Sequence, residues 1–216
     1  MPSVTVTSLI ARIRGDADMK ASSFVSDAEI LEFIQDAYEQ VYEWIVQLDE
    51  NFFRTSASLS VVNSSVALPT DCHKICGVDT LVGTQDRSLK KFAWAERNSF
   101  DSTVTSAFMY RYCLSGSNIV FRPKNGTFTA TLYYIPHPPT LTSASSISTP
   151  EYKGLEYVIA TSAALCVERE ERNSVGLRNR ASAAKQDILD AIANRDMENA
   201  DSIRDIYGVN WDEDMV

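Results

Sequence analysis

The sequence lacks the features that define several large classes of protein. No apolar run approaches the ~20 residues needed to cross a bilayer, and the first residues carry no basic region followed by an apolar core and a cleavage site. We therefore expect no membrane contact, and synthesis and folding in a cytoplasm. The 216 residues are 44% hydrophobic and 23% charged, as in an ordinary globular chain long enough to bury a core.

Cysteine is scarce and dispersed, which argues against a disulfide framework and against a structural metal. The cysteines are Cys72, Cys76, Cys113 and Cys166. We expect them to be reduced and partly buried. Residues 71–76 (DCHKIC) offer ligands for half of a zinc site, but such a site needs four ligands, usually as two close pairs, and no second pair exists. The sequence therefore predicts neither a metal nor a cofactor.

Positive charge is also in short supply. The chain has 20 Lys and Arg residues against 29 Asp and Glu residues, a net charge of −9, and a pI of about 4.7. Binding of nucleic acid through its phosphates requires clustered Lys and Arg. The only notable N-terminal basic group is Arg12, Arg14 and Lys20, and acidic residues follow it closely. Specific recognition of nucleic acid is not expected.

Helical periodicity is present towards both ends of the chain. Val6–Arg14 carries apolar residues at helical spacing and stops at Gly15, which predicts a short helix. Ser26–Glu29 has the form of a capping box and opens the strongest helical period, which runs to Leu48. The periodicity predicts bundle helices near 26–49, 151–172 and 174–195, the last two joined by a short turn.

Between residues 51 and 136 the pattern changes to that of strands. β-Branched and aromatic runs predict strands at Ser58–Val62, Ile75–Val82, Met109–Leu114, Ile119–Phe121 and Phe128–Ile135. The last two flank Asn125-Gly126, a strong signal for a β-hairpin. Prolines from Pro136 onward end the last strand, because proline has no N–H to donate to a ladder.

These patterns predict an α+β protein. We expect an antiparallel helical bundle with an inserted small antiparallel β-subdomain and an extended C-terminal arm. The expected divisions are N-terminal bundle helices over 1–53, the β-subdomain over 54–140, a C-terminal helical hairpin over 141–195, and an acidic aromatic arm over 196–216.

The arm is the most unusual stretch of the sequence. Its 21 residues, DMENADSIRDIYGVNWDEDMV, hold seven acids against one base, a net −6 of the total −9. A tail that only solubilises the protein has little use for Trp and Tyr, since weakly structured segments are usually poor in aromatics. We expect the arm to order when it docks on a partner, with Ile206, Tyr207 and Trp211 as anchors. The alternative is a tail folded back on its own core.

No catalytic motif accompanies these features, so we do not expect an enzyme. Glu168, Glu170 and Glu171 alternate with arginines at the end of a predicted helix. Glycoside hydrolysis needs two carboxyl groups at a defined distance across a sugar cleft, so an ion-pair network is the better interpretation. His73 and His137 lie near predicted loop ends without a nucleophile in a supporting context, and we expect both in surface loops.

Four places in the sequence occur in an order that is typical of one family. They are the capped helix SDAEILEFIQDAYEQVYEWI; Leu68–Asp71 leading to Lys74–Val78; Tyr133–Pro136; and the alanine-rich helix Tyr157–Cys166 with its Glu168–Glu171 end, followed by a second helix and the acidic aromatic tail. Over roughly the whole chain this arrangement resembles the head-to-tail adaptor (connector, or head-completion) proteins of tailed bacteriophages. Minimal helical adaptors lack the sizeable β-insert, so the resemblance leaves the distal partner open.

The resemblance implies a structural virion protein located at the neck, between capsid and tail. Such proteins form a homo-oligomeric ring, commonly of roughly twelve copies, beneath the portal protein. The bundle forms the wall, the C-terminal arms engage the portal, and the β-part faces a tail, nozzle or stopper protein. A charge of −9 per copy would make the channel repel genomic DNA, which passes through without specific binding. The alternatives are a non-viral oligomeric interaction scaffold and a cell-wall-degrading hydrolase.

Overall fold

A computed structural model describes residues 3–20, 24–82, 85–100, 110–124, 127–148 and 152–193. The chain divides into two compact units, which we call the helical unit (residues 1–48 and 141–216) and the β-unit (residues 49–140). The described residues contain helices and mainly antiparallel sheets, so the predicted α+β class is confirmed.

The helices and strands have the following bounds. The helices are α1 (Val6–Asp16), α2 (Asp27–Leu48), α3 (Tyr152–Arg169) and α4 (Val175–Ala193). The strands are β1 (Ser3–Thr5), β2 (Thr55–Val61), β3 (Ser65–Ala67), β4 (Cys72–Val82), β5 (Gln85–Ser88), β6 (Lys90–Lys91), β7 (Arg111–Ser115), β8 (Asn118–Arg122), β9 (Phe128–Pro136) and β10 (Ser146–Ser148). A 3₁₀ turn spans Trp94–Glu96.

Helix α2 begins at the capping box that the sequence predicts. The backbone N–H of Ser26 donates to Glu29 Oε2 at 2.9 Å, and the N–H of Glu29 donates to Ser26 Oγ at 3.2 Å. Val25 and Ile30, on either side of the box, are both buried, as a hydrophobic staple requires. These contacts satisfy N–H groups that have no partner within the helix and so fix where α2 starts.

Helix α3 is the centre of the helical unit and packs against each of the other three helices. Unlike a surface helix, it is buried on nearly every side, which explains its weak apolar periodicity. Small residues let the neighbouring helices approach closely; the fully buried ones are Ala160, Ser162, Ala163, Ala164 and Cys166.

Charged side chains connect α1, α3 and α4. The Arg180 guanidinium bonds Asp16 Oδ2 at 2.8 Å through Nη1 and also pairs with Glu156. Arg12 binds the other carboxylate oxygen of Glu156 at 3.1 Å. Two carboxylates and two guanidinium groups thereby form one partly buried network across three helices.

The helical unit also contains a short ribbon that the sequence does not predict. Strand β10 pairs antiparallel with β1, and Ile147 in the middle of β10 is fully buried. Ser and Thr dominate the segment around Ile147, so its composition does not indicate a strand.

Two four-stranded sheets form the β-unit. The first has the order β2-β9-β4-β5 and is antiparallel throughout; the second has the order β3-β8-β7-β6, with a parallel pair only between β6 and β7. Their shared core consists of Leu59, Val61, Val78, Tyr112, Ile119, Phe121, Ala130, Leu132 and Tyr134. Side chains from both sheets contribute, so the core lies where the sheets face each other.

The predicted hairpin across Asn125-Gly126 is wrong. Its flanking strands lie in different sheets: β8 pairs with β7 and β3, whereas β9 pairs with β2 and β4. The hairpin of the second sheet is β7–β8, which turns at Gly116 with φ of +60°. The nine residues of β9 serve as a central strand of the first sheet, and this nonlocal pairing outweighs the local turn preference. The Asn125-Gly126 dipeptide itself lies outside the described residues.

Candidate interaction sites

The predicted anchors Ile206, Tyr207 and Trp211 lie outside the residues that the structure describes. The expected arm over 196–216 lies outside them as well. Their role therefore stays a prediction from sequence. The sites that follow are formed by described residues.

The acidic end of α3 is bound to arginines of the same chain. Glu168 accepts two hydrogen bonds from Arg178, at 2.8 Å and 2.7 Å, and one from Ser174 Oγ at 2.5 Å. Glu170 accepts from Arg172 at 3.1 Å. The predicted ion-pair network is present, and it joins the end of α3 to the start of α4.

The pKa of Glu168 reflects this arrangement. Hydrogen bonds from Arg178 and then from Ser174 lower it from 4.5 to about 2. A carboxyl group that stays ionised to such low pH is a poor general acid. The geometry therefore favours a structural role for this carboxylate over catalysis.

The Glu168→Gln variant should lose stability in a pH-dependent way. Because the folded state lowers the pKa, the ionised carboxylate stabilises the protein above about pH 4.5, and this contribution disappears as the pH falls towards about 2. The pair is solvent-exposed, so we expect a loss of only ~0.5–1 kcal/mol at pH 7 and almost none near pH 2. Urea unfolding at both pH values measures it.

Glu171→Gln is the matched control, because Glu171 makes no ion pair with any described residue. It should leave the free energy of unfolding unchanged at both pH values. An equal loss in the two variants would show that the helix end responds to net charge alone.

The four thiols are free, as predicted. Cys113 and Cys166 are buried, and burial raises the pKa of Cys166 to about 11. Burial also raises the pKa values of Cys72 and Cys76, which are only half-buried. Since the thiolate is the nucleophile, the raised pKa values lower the reactivity of these thiols at neutral pH.

The two histidines meet in the β-unit, and no sequence pattern predicts this contact. Their ring centroids are 4.9 Å apart, in an edge-to-face orientation. Both residues are exposed, but His73 lies within β4, so its predicted position in a loop is wrong. Within the described ranges, no group of three or more His, Cys, Asp or Glu side chains is placed to hold a metal ion.

A basic row crosses the second sheet of the β-unit and was also missed by sequence analysis. Lys90, Arg111 and Arg122 are register partners on three adjacent strands. The Arg111 guanidinium lies 4.5 Å from the centre of the Phe100 ring, and Arg122 donates to the Arg97 carbonyl at 3.3 Å. Lys90 is exposed and Arg111 is half-buried, whereas Arg122 is buried, so the accessible charge of the row comes mainly from Lys90 and Arg111.

An open groove of roughly 660 Å³ lies in the helical unit, between α1, the start of α2 and residues 141–143. Its apolar lining includes Ile10, Leu31 and Leu141. The two charged residues that line the groove, Arg14 and Asp27, form an ion pair with each other at 2.6 Å. The groove is therefore suited to an apolar side chain rather than to an anion.

No described helix is both long and apolar enough to cross a membrane. The described residues thus combine a helical bundle, a two-sheet β-unit and charged side chains that bond one another. This combination is typical of a structural interaction protein.

The comparison with protein families agrees with this class. A family model described as SU10 adaptor protein matches residues 4–206. The chain therefore belongs to the SU10 adaptor protein family, and it is a structural adaptor protein of a bacteriophage virion. The resemblance to phage head-to-tail adaptors is confirmed. The matched range includes Ile206 but ends before Tyr207 and Trp211. No curated protein matches the chain.

Proposed function

We propose that the protein forms a ring that joins the capsid portal to the tail and extends the DNA channel between them. The observation that carries this proposal is the family match, which spans both the helical unit and the β-unit. The ring contains roughly twelve copies, with closed rotational symmetry, and occupies the neck of the virion.

The charge of the chain supports a channel that DNA traverses without binding. Each copy carries −9, so a ring of many copies repels phosphate rather than retaining it. Self-repulsion of the same sign also keeps free subunits soluble before they assemble on a template.

The two ends of the ring contact different partners. Residues 196–216 bind the portal protein, with Ile206, Tyr207 and Trp211 filling pockets and the acids steering the arm to a basic surface. The β-unit faces a tail, nozzle or stopper protein. Its exposed apolar side chains, Val62, Leu81, Trp94 and Leu114, support a role in docking, as do the accessible cations Lys90 and Arg111.

The protein has no cell-wall hydrolase activity in this proposal. Glu168 and Glu170, the carboxylates weighed for that role, are each bonded to an arginine. The phage family also favours the viral function over a scaffold outside viruses.

Imaging the protein with its portal provides the test. Coexpression of the chain with the portal protein of the same phage should yield portal rings that carry a second ring of this protein on one side, seen as added density in class averages. A portal ring that stays bare at saturating concentrations of the adaptor would contradict the proposal. Class averages that show isolated copies of the protein on the portal, without a closed ring, would contradict the proposed ring.

A further inference from the structure

A bulge in β4 brings the two imidazoles of the chain together. Along the β4–β9 ladder, Cys72 is the partner of Pro136 and Lys74 is the partner of Ile135, so β4 advances two residues where β9 advances one. His73 is therefore the extra residue. Bulges change the direction of a side chain relative to a regular strand, and here the His73 ring lies beside that of His137.

The backbone of His137, the other member of the pair, is also fixed. The His137 N–H donates to the carbonyl oxygen of Asp71 at 2.6 Å, which continues the ladder past the end of β9. The side chain of Asp71 accepts from the Tyr134 hydroxyl at 3.2 Å. Prolines precede and follow His137 in the sequence and restrict its backbone further. Main-chain contacts thus hold the backbone of His137 close to the first residues of β4, which brings the two rings within reach of each other.

We propose that His73 and His137 form a two-imidazole chelation site for a borderline divalent transition-metal ion, of the class of Ni²⁺, Cu²⁺ and Zn²⁺. Metal–nitrogen bonds of about 2.0–2.1 Å place two imidazoles that share one ion with their ring centres roughly 5 Å apart. The observed separation is 4.9 Å. Both side chains are exposed, so small ring rotations can direct one nitrogen of each ring to a common point.

The chemistry of the pair selects the ion. Neutral imidazole is a good ligand for Ni²⁺, Cu²⁺ and Zn²⁺ and a poor one for Mg²⁺ and Ca²⁺, which prefer oxygen. With two protein ligands, water fills the other coordination positions, and the site differs from the four-ligand structural zinc site that the sequence rules out.

Metal binding at this position connects the first residues of β4 to the chain just beyond β9. An ion that binds only the folded β-unit stabilises it in proportion to the ion concentration relative to the dissociation constant. The site therefore acts as a removable cross-link at the end of the first sheet where β4 begins and β9 ends.

Titration of the tag-free full chain with Ni²⁺, followed by calorimetry, tests the site directly. The chain has two histidines in total, so every imidazole is accounted for. We expect one ion per chain, with affinity falling at least about tenfold in His73→Asn and in His137→Asn. The Cys72→Ser/Cys76→Ser double variant is the matched control and should bind Ni²⁺ as the wild type does.

Melting temperatures provide a second measurement that a purely structural role would not affect. Ni²⁺ should raise the melting temperature of the wild type and of the cysteine variant, but not that of either histidine variant, and removal of the ion by a chelator should reverse the rise. The proposal is wrong if the wild type binds none of Ni²⁺, Cu²⁺ and Zn²⁺ saturably. It is also wrong if either histidine variant retains the affinity, or if binding is lost with the two cysteines.

Discussion

Deletion of residues 201–216 is expected to abolish attachment of the protein to portal-bearing capsids while leaving the thermal stability of the free chain nearly unchanged. The deletion removes the three proposed anchors and five of the seven acids of the arm. Among the described residues, the buried core of the helical unit is formed by side chains between Val6 and Ile192. Sedimentation with purified capsids measures attachment, and calorimetry measures stability.

The size of this effect follows from how anchors work in a ring. Truncating a buried aromatic anchor commonly costs ~2 kcal/mol or more in binding. Each arm acts in parallel with those of the other subunits, so a modest loss per arm multiplies around the ring. Trp211→Ala alone should therefore weaken attachment strongly, whereas Met215→Ala, a truncation in the same segment, should weaken it little.

The acids of the arm have a separable role. Neutralising Asp212, Glu213 and Asp214 as amides should slow association and flatten its dependence on salt, with a smaller effect on dissociation.

If the 201–216 deletion unfolds the chain, the segment belongs to the core. If it folds and still attaches normally, the portal contact lies elsewhere on the protein.

The helices were predictable because their determinants are local. A capping box needs only Ser26 and Glu29 three residues apart, and the prediction of 26–49 for α2 agrees with the observed Asp27–Leu48. The end of α3 was likewise predictable as an ion-pair network from alternating charges. The arginine that pairs with Glu168 is Arg178 on α4, and the short turn between α3 and α4 brings the two side chains together.

The sheet partners were not predictable, because they depend on contacts between distant residues. Five of the strands (β2, β4, β7, β8 and β9) were found from their composition, whereas the short strands were not. A turn dipeptide cannot show that β8 and β9 belong to different sheets. The short ribbon of β1 and β10 joins residues at opposite ends of the chain, and its polar composition hides it.

The same limit applies to the candidate sites. The two histidines are far apart in sequence and meet only because of the β4–β9 pairing and a bulge. The basic row arises from strand register, since Lys90, Arg111 and Arg122 belong to three separate strands. Neither arrangement has a sequence motif, and both required the sheet topology.

The Phe121→Ala variant should destabilise the β-unit more than any surface substitution in it. Phe121 is fully buried in the core between the two sheets, and its ring meets Phe128 edge to face with centroids 5.2 Å apart. Removing a buried phenyl ring and leaving a cavity costs ~3–5 kcal/mol. Urea unfolding, followed through the near-ultraviolet signal of the aromatic side chains, measures the loss; the buried tyrosines Tyr112 and Tyr134 of the β-unit contribute to that signal.

Two matched variants determine whether packing is the cause. Phe121→Leu keeps most of the apolar volume and should cost much less than the alanine substitution, ~1–1.5 kcal/mol. Leu114→Ala lies on the paired strand β7 but truncates a side chain that is 50% exposed, so the loss should stay near 0.5 kcal/mol. Equal losses in Phe121→Ala and Leu114→Ala would show that the side chains between the sheets do not form the stabilising core. A loss that is largest in Phe121→Ala, smaller in Phe121→Leu and smallest in Leu114→Ala would show that packing between the two sheets stabilises the β-unit.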